Sequence, residues 1–299
     1  MKAVLDNLVN EVGKVLLGKE RQIRLALACL ICRGHLLIED LPGMGKTTLS
    51  HALAKVLGLS YKRIQFTSDL LPADVLGINL FDRNRNEFVF HPGPVFSQVV
   101  LADEINRATP KAQSALLEAM EERQVSIEGE TRPLPSPFFV IATQNPSDQA
   151  GTFLLPESQT DRFLMRIKLG YPDPAFEREL LIGRNRRDVV DELPQCMSET
   201  QLNEIQQAVL NVSASPQLLD YVQKLIQSSR QYMNMQGGLS PRGGIALLRA
   251  SQAWALMAGR QHVIPDDVQD VLAAVVDHRV PVAGGAPLSS KLLREVDIL

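Results

Sequence analysis

A glycine-containing turn near residue 40 constrains the fold of this chain more than any other stretch. The apolar run Leu36–Ile38 enters the turn, and a helix-compatible run, Thr48–Val56, leaves it. A strand, a glycine turn and a helix in this order can hold phosphates. Glycine lets backbone N–H groups approach the phosphate oxygens, and the helix N-terminus attracts negative charge. The residues predicted to bind a nucleotide are Pro42, Gly43, Met44, Gly45, Lys46, Thr47 and Thr48.

Two side chains of this loop have specific predicted contacts. Lys46 is expected to reach the β- and γ-phosphates, and the Thr47 hydroxyl is expected to bind Mg²⁺. The general pattern G-x-x-x-x-G-K-[ST] begins with glycine, where this chain has Asp40, but its tail from Gly43 is intact. From the loop alone, a chance glycine turn before a helix remains an alternative, so other segments must decide.

The composition is that of a globular protein without a strong charge bias. The chain has 299 residues, enough for two domains, of which 45% are hydrophobic and 22% charged. A net charge of -3 and a pI near 6.0 do not favour nucleic acid as a partner. Residues 1–11 lack the apolar core of a signal peptide, and no apolar run approaches the roughly 18 residues that span a membrane. We therefore expect a cytoplasmic protein without membrane insertion.

The cysteines favour a reducing compartment and core packing. Cys29 and Cys32 have the spacing of a metal-binding pair, but the third cysteine, Cys196, supplies no second pair. Residues 26–32 are almost entirely apolar, which indicates a buried helix. Packing in the core is the favoured interpretation, and a redox or metal role is the alternative.

Polar residues follow two predicted buried strands. Ser97–Leu101 leads to Asp103 and Glu104, and the strand 138–142 leads to Asn145. Parallel α/β sheets bind ligands at the carboxyl ends of their strands. Asp103 suits coordination of Mg²⁺ through water, and Glu104 suits polarisation of an attacking water molecule. Asn145 is placed to sense a γ-phosphate or that water, although an Asn-Pro turn alone would explain it.

The order of predicted elements gives a fold class. Strands and helices alternate up to Leu169, which predicts a five-stranded parallel sheet covered by helices on both faces, an αβα core, in residues 1–171. Residues 172–299 are predicted to form a small all-helical domain. Its helices start at five cap or first-turn signals, namely Asp173-Pro174, Ser198, Ser215-Pro216, Ser240-Pro241 and Asp266. The first of these helices is expected to run to about residue 187, and the third to about residue 233.

Two short segments alternate between apolar and polar residues and predict β-hairpins. The first spans residues 79–90 and has Arg83 and Arg85 at its tip. The second spans residues 124–134 and turns at the acidic sequence 128–130.

Two arginines are placed where they can meet an anion outside the loop. Arg162 lies at a helix-to-strand junction, where it can face a neighbouring molecule. Arg242 lies in the first turn of a helix, where a cation is electrostatically unfavourable. A bound anionic ligand is the favoured explanation for Arg242, and a surface salt bridge is the alternative.

In this order and spacing, the motifs resemble those of the AAA+ ATPases, and of the MoxR family in particular, over nearly the whole chain. The match from Asp103 to Glu121 is the most typical of MoxR, and MoxR-like sequences often carry Glu-Asp at positions 39–40. The motifs that carry the resemblance are Gly43–Thr47, Asp103–Ala108, Ala142–Pro146, Asp161–Phe163 and Ser240–Arg242.

The resemblance implies a role for each matching residue and an assembly. Lys46 and Thr47 would belong to the Walker A motif, and Asp103 and Glu104 to Walker B. Asn145 would be the first sensor, Arg242 the second sensor, and Arg162 the arginine finger that completes a neighbour's site. The implied cofactors are ATP and Mg²⁺, and the implied assembly is a ring, usually a hexamer. Arg107 is expected near a subunit interface, and the sequence does not fix its role.

Three functions are compatible with these expectations. The first is ATP-driven remodelling or maturation of a protein client, with a von Willebrand factor A domain partner and possible roles in complex assembly or metal cofactor insertion, as the resemblance implies. The second is a nucleic-acid motor, since related helicases share both hairpins. The third is a nucleotide-binding scaffold without turnover, which would need neither Glu104 nor Asn145.

Overall fold

The computed structural model describes residues 1–145, 153, 155–182, 186–232, 237–280, 282 and 286–298, with residues 186, 187 and 232 described by their backbone only. The described strands are β1 (Leu36–Glu39), β2 (Tyr61–Gln65), β3 (Gly77–Asp82), β4 (Glu87–Pro92), β5 (Val99–Asp103), β6 (Gln124–Ile127), β7 (Glu130–Pro133), β8 (Phe139–Gln144) and β9 (Met165–Ile167). The centre of the fold is a five-stranded parallel sheet in the order β2-β5-β8-β1-β9, and two antiparallel hairpins, β3-β4 and β6-β7, stand apart from it.

The described helices cover both faces of the sheet and fill the C-terminal third of the chain. They are α1 (Lys2–Gly13), α2 (Glu20–Ile31), α3 (Lys46–Val56), α4 (Pro72–Leu76), α5 (Pro110–Glu122), α6 (Glu157–Thr160), α7 (Pro174–Ile182), α8 (Arg186–Asp191), α9 (Glu199–Leu210), α10 (Pro216–Tyr232), α11 (Pro241–Met257), α12 (Pro265–Val276) and α13 (Leu288–Glu295). The predicted α/β sheet followed by a helical region is confirmed.

The strand sequences explain why helices must cover both faces. Every residue of β5 is buried, and successive side chains of a strand point to opposite faces. Val99 and Leu101 join one apolar cluster, while Val100 and Ala102 join the other. The first cluster includes α1, α2 and α3, and the second includes α4 and α5. The continuous apolar runs therefore correspond to central parallel strands, as predicted.

Some predicted boundaries were wrong, and local contacts explain them. Strand β8 continues past residue 142, because Thr143 and Gln144 still pair with β1. The apolar spacing of residues 4–17 predicts one helix over that range, but the first helix ends at Gly13. Val15 and Leu16 are buried beyond its end, so their apolar character comes from core packing rather than from helix periodicity.

The polar residues 67–69 predict a cap for a helix over residues 70–75, and this start is two residues too early. The helix begins at Pro72, where the Asp74 carboxylate accepts a hydrogen bond from the Leu71 amide at 2.9 Å. The short helices α6 and α13 were not predicted at all.

The predicted helix starts in the C-terminal region agree well with the structure. Ser198 and Gln201 form the expected capping box, with Ser198 N donating to Gln201 Oε1 at 2.9 Å. The Ser240 hydroxyl caps α11 by accepting from the Gly243 amide at 3.0 Å. The helix predicted to run from 174 to about 187 is described as α7 and α8, and residues 183–185 between them lie outside the described part. Met233, the predicted end of α10, also lies outside it.

The larger apolar cluster continues from the helices beside the sheet into the C-terminal helices. It extends from Leu5 in α1 to Val296 after α13. Cys29 is part of this cluster, and Cys32 packs against it. Their Sγ atoms contact the carbonyl oxygens of His35, at 3.3 Å, and of Arg249, at 3.1 Å, so the core-packing interpretation is confirmed. The division into domains 1–171 and 172–299 stays a prediction.

Both predicted hairpins form, and they contact one another. Asn79 of β3 donates to Glu128, in the turn of the second hairpin, at 2.8 Å. The Arg132 guanidinium of β7 lies 4.2 Å from the centre of the Phe90 ring of β4. The two hairpins therefore present one connected surface.

Candidate nucleotide site

The loop between β1 and α3 has the backbone that a phosphate-binding turn requires. Gly43 and Gly45 have φ angles of 85° and 93°, in the left-handed region that other residues rarely adopt. At Gly45 a Cβ atom would also lie 2.9 Å from Leu16 Cδ1. Helix α3 begins directly after it, at Lys46, so its N-terminal amides face the loop.

Lys46 is buried, and its ammonium group is held at the centre of the site. Its Nζ donates to the Asp40 carbonyl at 2.6 Å and to Asn145 Oδ1 at 3.1 Å. Burial lowers the pKa of Lys46, and attraction to the carboxylates of Asp103, Asp40 and Glu104 opposes that effect. The lysine therefore already lies beside the residues predicted to act with it.

Asp40, which replaces the usual first glycine, ties the loop to the strand at the edge of the sheet. Its Oδ2 accepts from the amides of Leu169 and Gly170, at 2.7 and 2.6 Å. Its Oδ1 accepts from the Leu41 amide at 2.9 Å. The apolar residues 164–169 predict a strand over that range, but β9 ends at Ile167, and the amides of Leu169 and Gly170 bond to the Asp40 side chain instead of to a strand.

Asp103 lies at the end of β5 with both carboxylate oxygens in use. Oδ1 accepts from the Thr143 hydroxyl at 2.6 Å. Oδ2 accepts two bonds from Arg63 of β2, from Nε at 3.0 Å and from Nη2 at 2.6 Å. The carboxylate is thus fixed from two neighbouring strands.

Glu104 follows directly and has a left-handed backbone, with φ 56° and ψ 48°. Its amide donates to the Thr143 hydroxyl at 2.8 Å. The carboxylate accepts from Asn145 Nδ2 at 3.1 Å, and from Gln65 Nε2 and Arg107 Nη1, both at 2.9 Å. Asn145 therefore bridges Lys46 and Glu104 through the two ends of one amide group.

One cavity of about 600 Å³ is lined by Lys46, Arg63, Asp103, Glu104 and Asn145. It contains all the residues predicted to bind nucleotide or metal except Met44, whose side chain packs against the larger apolar cluster. His51 and Tyr61 stack in its wall with ring centres 5.0 Å apart. Its described lining is Pro42, Gly43, Gly45, Lys46, Thr47, Thr48, His51, Tyr61, Arg63, Asp103, Glu104, Asn145, Val190 and Asp191.

The donor set fits a magnesium nucleotide. A buried ammonium and a helix N-terminus suit phosphate oxygens, while a carboxylate and the exposed Thr47 hydroxyl are hard oxygen ligands of the kind Mg²⁺ prefers.

Arg162 and Arg242 lie together, but not beside this cavity. Both bind the carboxylate of Glu121 near the end of α5, Arg162 at 3.0 Å and Arg242 through a hydrogen bond. That hydrogen bond is the largest of the effects that lower the pKa of Glu121. They line a second cavity of about 220 Å³ beside Gly34 and His35, where β1 starts. The loop lies where β1 ends, so the arginines lie at the opposite end of the parallel strands. We call this end the basic edge.

Comparison with known proteins agrees with this geometry. The model of the ATPase family associated with various cellular activities (AAA) matches residues 35–165, and the AAA lid domain model matches residues 227–295. Chaperone MoxR1 of Mycobacterium tuberculosis (strain ATCC 25618 / H37Rv) is 40% identical over 92% of this chain and 75% of its own length. The chain belongs to the MoxR family of AAA+ ATPases.

Two further comparisons extend this result. YeaC of Bacillus subtilis (strain 168), an uncharacterized protein, is 44% identical to this MoxR-family chain over 93% of it and 87% of YeaC. The crystal structure of an ATPase candidate from Cytophaga hutchinsonii ATCC 33406 superimposes with a TM-score of 0.88 at 36% identity. That comparison covers 100% of this chain and 96% of the other. A search of the described helices of this MoxR-family chain finds none long and apolar enough to cross a membrane.

The basic edge of this MoxR-family chain is built around Asp161. Its carboxylate accepts from the Ser240 hydroxyl, at 3.2 Å, and from Arg279 Nε, at 2.8 Å. Arg279 is buried and also donates to the Phe163 and Leu164 carbonyls, at 2.6 and 3.0 Å. These contacts join the segment of Arg162 to the first turn of α11, which carries Arg242, and so explain why the two arginines meet.

Sequence reasoning missed three residues of the MoxR-family site, namely Arg63, Gln65 and Thr143. Gln65 pairs in register with Asp103, so the polar side of β2 lies beside the end of β5. The alternation along β2 places Arg63 and Gln65 on one face, but it does not indicate that this face meets a carboxylate. Arg107, whose role the sequence left open, contacts Glu104.

Proposed function

We propose that this MoxR-family chain binds Mg²⁺–ATP in the loop cavity and hydrolyses it. The observation that carries the proposal is the Asn145 amide, which joins Lys46 to Glu104 by bonds of 3.1 Å on each side. A phosphate-binding lysine and a candidate base are thereby coupled through a group that can report a change at either. A scaffold that only binds nucleotide would need no such connection.

The binding roles follow from the positions of the donors. Lys46 and the loop amides would hold the phosphates, and Thr47 and Asp103 would hold Mg²⁺. The metal would supply charge neutralisation on the phosphate oxygens. Pro42, Gly43, Gly45 and Thr48 would form the walls around the phosphates, and Met44 would support the loop from the core.

Glu104 is assigned to orient and deprotonate the attacking water. Three donors, from Asn145, Gln65 and Arg107, hold its carboxylate in one place. The left-handed backbone of Glu104 turns the chain at this point, and such strain is often found at functional sites.

Arg162 and Arg242 are assigned to the active site of a neighbouring subunit. They lie at the edge of the sheet opposite the loop, and with their side chains 28% and 48% exposed they are open to a partner. Two guanidinium groups on one carboxylate can also bind the phosphate oxygens of another chain's nucleotide. This assignment replaces the expectation that Arg242 senses a ligand on its own, since here it forms a salt bridge with Glu121. It requires a ring of identical subunits, for which a hexamer is the family's usual form.

The work done with ATP is proposed to be remodelling or maturation of a protein client, assisted by a partner with a von Willebrand factor A domain. Metal cofactor insertion is one form of such maturation. The connected hairpins offer a surface for a protein client, because Phe81 and Phe88 are exposed and their ring centres lie 5.3 Å apart. A nucleic-acid motor is less well supported, since Arg85 at the tip lies within 3.9 Å of both Asp82 and Glu87.

Capture of partners by a trapped variant tests this function. Glu104→Gln should bind ATP, hydrolyse it far more slowly and retain a protein client, because the substitution keeps the size of the side chain but removes the carboxylate that accepts the proton. The control is Glu118→Gln, an exposed position on α5. Recovery of nucleic acid alone with the trapped variant would reject the protein-client proposal.

A further inference from the structure

Arg63 forms an ion pair with Asp103, the carboxylate that is assigned to bind the metal. Two of its nitrogens reach the same oxygen, Asp103 Oδ2, at 2.6 and 3.0 Å, while Thr143 holds the other oxygen. A guanidinium has no acceptor atom and stays charged at all relevant pH values. Arg63 is therefore a fixed positive charge beside the proposed metal ligand.

A second contact holds the guanidinium in this orientation. Arg63 Nη2 also donates to Gln65 Oε1 at 2.8 Å, and Gln65 Nε2 donates to Glu104 at 2.9 Å. Because the amide oxygen of Gln65 faces the guanidinium, its nitrogen has to face the carboxylate. The four side chains form one chain of hydrogen bonds from Asp103 to Glu104.

Arg63 is also able to leave. Its side chain is 45% exposed and lines the open loop cavity, whereas Asp103 is buried. An exposed guanidinium loses little when it exchanges a carboxylate for water, and such pairs are worth only modest free energy. The pair can therefore be displaced by a stronger ligand of the same carboxylate.

We propose that Arg63 is a positioning residue that competes with Mg²⁺ for Asp103 and so sets the magnesium concentration at which this chain binds its nucleotide. The proposal rests on the assignment of Asp103 to the metal in the proposed function. Metal and guanidinium are both cations that need the same acidic group. Binding of Mg²⁺ must then include the free energy of breaking the Arg63–Asp103 pair.

The test measures binding of a fluorescent ADP analogue to the purified full-length chain, at a series of Mg²⁺ concentrations and in EDTA. In Arg63→Gln, the Mg²⁺ concentration that gives half of the metal-dependent affinity should fall about fivefold, the loss of a partly exposed ion pair. Affinity in EDTA should not change. Gln65→Ala, which keeps the charge of Arg63 but removes one of its supports, should shift the midpoint in the same direction by about twofold.

Lys62→Gln is the matched control, because it removes the same charge from the adjacent, exposed residue of β2. It should keep the wild-type midpoint. Arg63→Lys retains a point charge without the paired contacts, and its midpoint should lie between those of the wild type and Arg63→Gln. This variant, together with thermal unfolding of each protein, separates a specific effect from misfolding.

Several results would overturn the proposal. Weaker binding of the analogue to Arg63→Gln in EDTA would make Arg63 a phosphate ligand, and a higher Mg²⁺ midpoint would make it a support of the metal site. An unchanged midpoint would also reject the competition. If the wild type bound the analogue with no magnesium dependence, the proposed function would fail instead, so the two failures are distinguishable.

Discussion

The two ends of the parallel strands carry opposite charge balances. The acidic edge is the end with the loop cavity, and the basic edge is the end with the arginine cavity. Among the described residues that line the loop cavity, two are a lysine and an arginine and three are carboxylates: Lys46, Arg63, Asp103, Glu104 and Asp191. Among those that line the cavity at the other edge, five are arginines and two are carboxylates: Arg33, Arg123, Arg162, Arg242, Arg279, Glu121 and Asp161. One edge therefore suits a cation and the other suits an anion.

This difference teaches how the work of one reaction can be divided between copies of a chain. The acidic edge has the groups that are proposed to hold a metal and activate water, but its lysine and arginine already form hydrogen bonds with neighbouring residues. The basic edge has positive charge in excess of its own carboxylates. A magnesium nucleotide placed between the acidic edge of one copy and the basic edge of the next would satisfy both.

The strongest way to break this comparison is to remove the basic edge. Arg162→Ala should lower the rate constant of ATP hydrolysis by about 10³–10⁵, the usual value of an arginine that stabilises the transition state from a neighbouring subunit. Nucleotide binding should change far less. The control is Arg294→Ala, an exposed arginine of α13.

Mixing two inactive variants sharpens the same point. Glu104→Gln subunits retain Arg162, and Arg162→Ala subunits retain Glu104, so mixed rings should contain some complete sites and recover activity. Mixtures without any recovery would indicate that both residues act within one subunit.

Removing the base should have the next largest effect. Glu104→Gln is expected to lower the hydrolysis rate by about 10²–10⁴, because general base catalysis is lost while the size of the side chain is kept. The measurement is single-turnover hydrolysis beside an equilibrium binding titration. Near wild-type turnover in this variant would refute the assignment of Glu104.

Acid should destabilise the basic edge, where His35 is buried. Its Nδ1 accepts from the Val140 amide at 2.9 Å, so Nε2 carries the proton and meets the Met120 carbonyl at 3.3 Å. Burial lowers the pKa of His35 to about 4. Between about pH 6.5 and pH 4 the unfolded chain binds a proton that the folded chain does not, so the free energy of unfolding should fall by about 3 kcal/mol as the pH falls.

Chemical denaturation at a series of pH values measures this slope. His35→Gln should flatten it, whereas His262→Gln, at an exposed position, should leave it as in the wild type. Burial also lowers the pKa of His278 beside Arg279, so part of the slope should remain in His35→Gln. A slope identical to the wild type would contradict the role of His35.

The smallest expected effect concerns the link between the loop and β9. Asp40→Ala should reduce the free energy of unfolding by about 2 kcal/mol, because the amides of Leu169 and Gly170 lose a charged acceptor. Asp40→Gly, which restores the general loop pattern, should lose at least as much and still bind nucleotide. Asp220→Ala, on the exposed side of α10, is the control. Loss of nucleotide affinity with unchanged stability would show that Asp40 acts on the ligand instead.

The sequence was most informative where chemistry follows a buried strand. Lys46, Asp103, Glu104 and Asn145 come after continuous apolar runs, and parallel strands bring such positions to one edge, so their proximity could be predicted. The contact between Arg63 and Asp103 could not be predicted, because an arginine on a half-exposed strand has the same sequence pattern whether it faces water or a carboxylate.

Contacts between distant segments were also beyond prediction. The pairing of Arg162 and Arg242 through Glu121 joins three segments whose relative placement depends on helix packing. The sequence signalled an anion near Arg242 but could not distinguish a ligand from a side chain. Asp40 is a further example. Its departure from the loop pattern is explained only by its hydrogen bonds to Leu169 and Gly170, which follow β9.

The packing of α1 has a consequence for biosynthesis. This first helix packs against α2 and α3, but also against α11. At a ribosomal rate of about 5–20 residues per second, α11 emerges on the order of ten seconds or more after α1. During that time part of the apolar face of α1, which includes Leu5 and Leu8, lacks its final cover. We expect ribosome-bound chains that end before α11 to be cut readily by protease within α1, and protection there would show that the early helices suffice to shield it.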